Sequence, residues 1–302
     1  MSNFILIFLS LALGYLFGRY KVFPKESALI LNKFVIYISL PAMVLLQVPK
    51  LTPNSEILLP VFIAWLVMGL SAIVILILAK IFHYSKSITG ALLLVAVLGN
   101  TSFLGIPIVQ SYYSQEALGY VMVYDQFGTF LALATYGSIV VALFSKNATF
   151  HPKQIITKII FFPPFVALII ALLLMGTQFP TAIESVLQNL ALTIIPLALV
   201  AVGLQLKFKL PKPYIKPFSI ALCIKLVFAP LIAFSVMKLF GLNSLVAQIS
   251  ILESAMGPMI TAAAVASAAN LSPRLSSAVV GYGTIFTIVT TALWYVVISN
   301  FL

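Results

Sequence analysis

The 302-residue chain is 62% hydrophobic and 8% charged, with a mean hydropathy of +1.17. Soluble domains carry roughly 25% charged residues, so composition excludes a soluble globule and calls for an all-α polytopic membrane protein seated in a lipid bilayer. The net charge of +11 does not imply a nucleic-acid partner, because the cations fall in short connections between apolar runs, where orientation signals belong.

Ten spans are expected in chain order, near 3–18, 29–48, 58–82, 88–112, 117–144, 156–176, 182–206, 214–240, 244–269 and 275–299. The runs are rich in Leu, Ile, Val and Phe and lack the alternation of a membrane β-barrel. The first has no basic leader and no small-x-small cleavage site, so it reads as a helix with its N-terminus outside. Inside connections then collect Arg19, Lys21, Lys25, Lys33, Lys80, Lys86, Lys146, Lys153, Lys158, Lys207, Lys209, Lys212, Lys216 and Arg274. Outside connections hold Lys50 and Lys238, with Glu56, Glu116 and Glu184. Both termini are therefore expected outside and the central loop in the cytosol, in a plasma (inner) membrane. The Asn147-Ala148-Thr149 sequon falls on the cytosolic side and is set aside.

The polar connection at 146–155 divides the chain into 1–145 and 156–302, each with five spans. An odd number of spans per half inverts the second half. Ser39-Leu40-Pro41 parallels Ile194-Ile195-Pro196, Gly105-Ile106-Pro107 parallels Met256-Gly257-Pro258, and Phe127-Gly128-Thr129 parallels Tyr282-Gly283-Thr284. Three anchors in one order indicate two inverted five-helix repeats.

Span four contains Leu98-Gly99-Asn100-Thr101-Ser102-Phe103-Leu104-Gly105-Ile106-Pro107-Ile108. A helix that only crosses lipid has no use for that set of glycines, proline, amide and hydroxyls. Gly and Pro break the helix, and lipid cannot satisfy the freed peptide groups. A second break, Glu253-Ser254-Ala255-Met256-Gly257-Pro258, lies in span nine. Paired breaks in the two halves point to a transporter site. The half-helix N-termini would form an anion site without a formal cation, with Asn100, Thr101 and Ser102 as hydrogen-bonding side chains. A kinked helix packed on its neighbours is the alternative for a single break.

Asp125, Glu253 and Lys225 sit about nine residues into spans five, nine and eight, close to the midplane at 1.5 Å per residue. Intramembrane charges are costly and mark function or pairing. Asp125 or Glu253 would carry a coupling proton, with Lys225 as counter-ion or substrate contact; a structural Lys225–Glu253 ion pair explains them equally. Gln126 is a further ligand candidate. Cys223 stands alone, and His83 and His151 lie near loops, so no metal site or cofactor is expected. No phosphate-binding loop and no nucleophile–base pair is present, so neither an ATP-driven pump nor an enzyme is expected.

The stretch Gly99 to Pro107 resembles the span-four signature of the auxin efflux carrier family, and Glu253 to Pro258 resembles its span-nine signature. The family includes plant exporters and prokaryotic permeases for small carboxylates, and the missing long cytosolic loop matches the prokaryotic type. The resemblance implies a fold related to bile-acid/sodium symporters. Spans 1, 2, 6 and 7 would form a scaffold, often a homodimerising one, and spans 3–5 and 8–10 a mobile transport domain. Spans four and nine would cross at Pro107 and Pro258, and an elevator-like shift would carry a small organic anion bound near Asn100, with Gly105, Pro107, Gly257 and Pro258 shaping the site. Glu253 stands where the family often has a neutral residue. The expected function is thus a secondary transporter of small organic anions. The alternatives are a proton- or cation-coupled antiporter using Asp125 and Glu253, or a non-transporting membrane sensor.

Overall fold

The computed structural model describes residues 2–24, 26–51, 55–145, 152–206, 208 and 212–302, with the side chains of 2–4, 55 and 158 left aside. Lys25, Lys146, His151, Lys207, Lys209 and the 147–149 sequon lie outside the described residues. Every regular element among the described residues is helical. The helices are α1 (Ser2–Arg19), α2 (Ser27–Lys50), α3 (Leu58–Ile81), α4 (Lys86–Val95), α5 (101–112), α6 (Ala117–Phe144), α7 (Pro152–Ile160), α8 (Pro163–Leu173), α9 (Thr181–Gln205), α10 (Lys212–Leu239), α11 (Leu245–Ser254), α12 (Ile260–Ala268) and α13 (Pro273–Phe301).

Six of these, α2, α3, α6, α9, α10 and α13, are long and apolar enough to cross a membrane. Shorter apolar helices cover Ile5–Arg19, Lys86–Val95, Pro163–Leu173 and Leu245–Ser254. Two of these short helices, α4 and α11, end at the breaks foreseen in spans four and nine. The expected span at 156–176 is instead divided. Phe162 is extended ahead of Pro163-Pro164, which open α8. Proline disfavours the helical region at the preceding residue, so α7 stands as a separate short helix.

Packing follows small residues and apolar faces. Helix α1 lies along the C-terminal half of α9. A Cβ on Gly203 would stand 2.5 Å from the Leu11 carbonyl, and one on Gly14 would collide with the Val200 carbonyl, so the two backbones touch. Helix α2 packs on α8 and α9. Its Ser39 hydroxyl meets that of Thr193 at 2.6 Å, and the Lys50–Glu184 ion pair clips its end at 2.6 Å. Elsewhere α3 packs on α6, α10 and α11, while α4 packs on α12, α13 and the end of α6. Large apolar side chains such as Ile73, Leu173, Leu239 and Val296 are exposed on the outer surface, as helices facing lipid require.

Candidate functional site

The two broken helices meet as backbone. Gly99 and Pro258 form an antiparallel bridge. The Asn100 N–H donates to the Gly257 carbonyl at 2.8 Å, and the Met259 N–H donates to the Leu98 carbonyl at 3.0 Å. In this register Gly99 and Pro258 are the pair whose own peptide groups point away from each other. Pro258 therefore gives up nothing by lacking an N–H. Peptide groups freed by breaking both helices satisfy one another inside the bundle. The crossing expected at Pro107 and Pro258 thus lies at Gly99 and Pro258. Pro107 occupies the second position of the α-helical stretch Ile106–Tyr112, two positions past the wide turn that follows the crossing, where its missing N–H is tolerated.

Among the described residues four turns are π-helical: Val35–Ser39, Thr101–Gly105, Tyr124–Phe130 and Ile224–Phe228. Three of them end two positions before a proline, Pro41, Pro107 or Pro230. A wide turn relieves the clash of the proline ring with the preceding turn. The turn at 101–105 carries Thr101 and Ser102, that at 124–130 carries Asp125 and Gln126, and that at 224–228 carries Lys225. Wide turns leave carbonyls short of donors, and the two tryptophans supply them. The Trp65 indole donates to the Phe127 carbonyl at 2.9 Å, and the Trp294 indole to the Leu226 carbonyl at 3.0 Å.

Asn100, Ser102, Asp125, Gln126, Met259 and Thr261 line one cavity of about 110 Å³. Phe103, Phe130 and Leu133 add apolar wall, and Ile36, Leu40 and Phe162 close it from α2 and the α7–α8 junction. Ligand pockets commonly measure about 300–1,000 Å³, so this one takes a small solute or one end of a larger one. The Asp125 carboxylate accepts hydrogen bonds from the Thr101 and Ser102 hydroxyls and from the Gln126 amide. At about 1.5–3 kcal/mol for each bond to a charged group, three such bonds offset a desolvation cost of several kcal/mol. Three polar atoms of the residues lining this cavity are buried without a partner among the described residues: Asn100 Nδ2, Gln126 Oε1 and Thr261 Oγ1. The cavity residues therefore offer an amide donor, an amide acceptor and a hydroxyl.

Lys225 and Glu253 lie behind the crossing and are buried. The Lys225 ammonium donates to the Ser254 carbonyl at 3.2 Å and would stand 3.0 Å from a Cβ on Gly99. Both Glu253 carboxyl oxygens are without a hydrogen-bond partner among the described residues and press on Gly105. The ion pair weighed for these two residues is not formed; among the described residues the salt bridge is Lys50–Glu184. Gly99 and Gly105 are small because an ammonium and a carboxyl occupy the space a side chain would fill.

Of the residues read as substrate contacts, Asn100 and Ser102 line the cavity. Thr101 holds Asp125, Gly105 faces Glu253, and Gly257 and Pro258 form the crossing. Asp125, assigned to coupling, lies in the cavity itself. Thr261, Met259 and the α2 residues were not foreseen. Thr261 stands two residues past Met259, which follows Pro258 of the crossing, as Ser102 stands two past Asn100, which follows Gly99; the parallel appears only in the register of the crossing.

Broken helices joined by backbone bonds, with unpartnered polar groups buried at their junction in an apolar bundle, define an integral membrane transporter. The chain belongs to the family described as membrane transport protein, whose model matches residues 1–295, and the auxin efflux carrier resemblance is thereby established. It is similar to an uncharacterized transporter of Methanocaldococcus jannaschii, 27% identical over 309 residues and covering 99% of each chain. It is also similar to an uncharacterized transporter of Methanothermobacter thermautotrophicus, 26% identical over 289 residues, with 95% of this chain and 94% of the relative covered. The family and these relatives are transporters, not enzymes.

Proposed function

We propose that the protein is a secondary transporter of small organic anions, carboxylates above all, bound at the crossing beside Asn100. The observation that carries this is the unpartnered Asn100 Nδ2 in a cavity at the start of two half-helices. The N-termini of α5 and α12 both begin at the crossing, and each presents free N–H groups and roughly half a positive charge. Replacing Asn100 by Ala should abolish carboxylate flux in proteoliposomes and leave a monodisperse protein. Unchanged flux would remove the crossing from substrate binding.

The finer architecture belongs to the same reading. Ten spans would form two inverted halves, 1–145 and 156–302, with both termini outside and the 146–155 connection in the cytosol of a cell bounded by this plasma membrane. Helices α1, α2, α8 and α9 would be the scaffold, through which two copies could pair, and the remaining spans the transport domain that shifts in an elevator step. The packing of α1 on α9 and of α2 on α8 and α9 supports the first group. The cavity supports the division, since α2 closes it against residues of α5, α6 and α12.

A second reading, proton- or cation-coupled exchange, is favoured by one observation: the Asp125 carboxylate shares the cavity with Asn100. A carboxylate there repels an anion unless a proton or cation accompanies it, so coupling through Asp125 reconciles the two.

A further inference from the structure

Arginine occurs twice in the chain, at Arg19 and Arg274, and every other cationic side chain apart from the histidines is lysine. The two arginines stand near opposite ends of the sequence. Both line one cavity of about 1020 Å³, with Tyr15, Phe208 and Ser277 among its walls. Neither forms a salt bridge among the described residues. A neighbouring cavity of about 640 Å³ shares Gly18, Leu204 and Ser277, adds Lys21, and runs along α12 to Ile260. Ile260 follows Met259, which lines the cavity at the crossing.

Orientation in the membrane explains positive charge at this end of the bundle, and lysine serves it as well as arginine. It does not explain why both guanidinium groups are gathered on one cavity. Helix stability does not explain Arg274 either. It is the second residue of α13, where a cation opposes the positive end of the helix dipole. An anion on the cavity side turns that opposition into attraction. Guanidinium groups bind carboxylate and phosphate through paired, parallel hydrogen bonds, which an ammonium cannot form.

We infer that Arg19 and Arg274 form an oxyanion-binding site at the wide mouth of the bundle, taking a carboxylate or a phosphate group. Its occupant is either a soluble anion or the phosphate of a lipid headgroup. Arg19 lies on α1 and Arg274 on α13, so a bound oxyanion ties together two helices that the transport reading assigns to bodies moving past one another. Binding itself is independent of that reading; the consequence, an occupied mouth favouring this arrangement, rests on it.

The test uses the full chain in phosphatidylcholine nanodiscs, titrated with malonate at constant ionic strength set by chloride, with thermal stabilisation as the readout. Wild type should be stabilised saturably. The Arg19→Lys/Arg274→Lys variant keeps the charge and hence the topology, and should need roughly tenfold more malonate because the forked contacts are lost. In an Asn100→Ala background, which removes the crossing as a second carboxylate site, a saturable stabilisation that depends on the two arginines should remain. In phosphatidylglycerol-containing nanodiscs, loss of the malonate effect assigns the site to the phosphate of an anionic headgroup, which lacks the choline cation that neutralises phosphatidylcholine, and its persistence assigns it to soluble anions; either supports the site. Equal malonate response in the lysine variant and wild type overturns the inference. So does a response that disappears with Asn100→Ala, which would place malonate at the crossing, and so does no response in either lipid. Failure of Asn100→Ala to affect flux sinks the transport site without touching this one.

Discussion

At the scale of single residues, the site is organised by what glycine leaves free. A methyl group on Gly105 would stand 2.6 and 2.7 Å from the two Glu253 oxygens. Gly105→Ala should therefore cost about 1–3 kcal/mol, the range for overpacking a well-filled interior, and lower the apparent melting temperature. Shortening the acid in Gly105→Ala/Glu253→Ala should restore most of the loss, because residues in contact are coupled. If the double variant is as unstable as the two singles added together, this contact is not the reason for the glycine. Asp125 makes a different prediction. Its three donors, Thr101, Ser102 and Gln126, suit an acceptor, and Asp125→Asn puts an NH₂ against one of them. Transport by this variant should fall at least tenfold by the arithmetic of one lost charge-assisted bond, roughly 1.5–3 kcal/mol. It should also lose whatever pH dependence the wild type has. A preserved pH profile in proteoliposomes would take Asp125 out of coupling.

At the scale of elements, close approach of helices decides which glycines tolerate change. Gly203→Val would drive a side chain into the Leu11 carbonyl and the Tyr15 N–H of α1, separating α1 from α9. We expect no monodisperse protein on size-exclusion chromatography. Gly69, on α3, has nothing within 4 Å of a Cβ, so Gly69→Ala should be neutral or raise stability by up to about 1 kcal/mol through helix propensity. These elements also show what was legible in the sequence. The breaks near Asn100 and Pro258 were readable because glycine, proline and polar side chains interrupt a run that lipid would otherwise fill. Their pairing register was not, since Pro107 and Gly99 are equally good breakers and only three-dimensional packing chooses between them. The wide turns at Asp125 and Lys225 escaped notice for a similar reason. The first has no proline, and nothing in local composition marks an extra residue in a turn. The division at Phe161–Phe162 is signalled by Pro163-Pro164, but the apolar run at 156–176 is long enough to read as one span.

At the scale of the whole molecule, the cavity at Asn100 is closed by Leu40 and Phe162 on one side and by Met259 and Thr261 on another. If these walls slide past each other, a covalent link between them should stop transport. In a Cys223→Ser background, Leu40→Cys/Met259→Cys should lose flux on oxidation and regain it on reduction. Ser39→Cys/Thr193→Cys, joining α2 to α9 where the hydroxyls already meet at 2.6 Å, should keep its flux when oxidised. Arrest in both, or in neither, would argue against a two-body elevator. The stacking of Phe130 on Phe162 at a centroid distance of 3.9 Å marks a seam of the same kind, an apolar contact that can shear without leaving a buried polar group exposed. The two tryptophans have one more consequence. Trp65 leans on the turn that carries Asp125, and Trp294 on the turn that carries Lys225. Each indole is a chromophore hydrogen-bonded to the backbone of a turn bearing a buried charge, and the chain holds no other tryptophan. The emission of the native protein is therefore a two-channel optical record of those turns, and single Trp→Phe variants would separate the channels during a transport cycle without any added label.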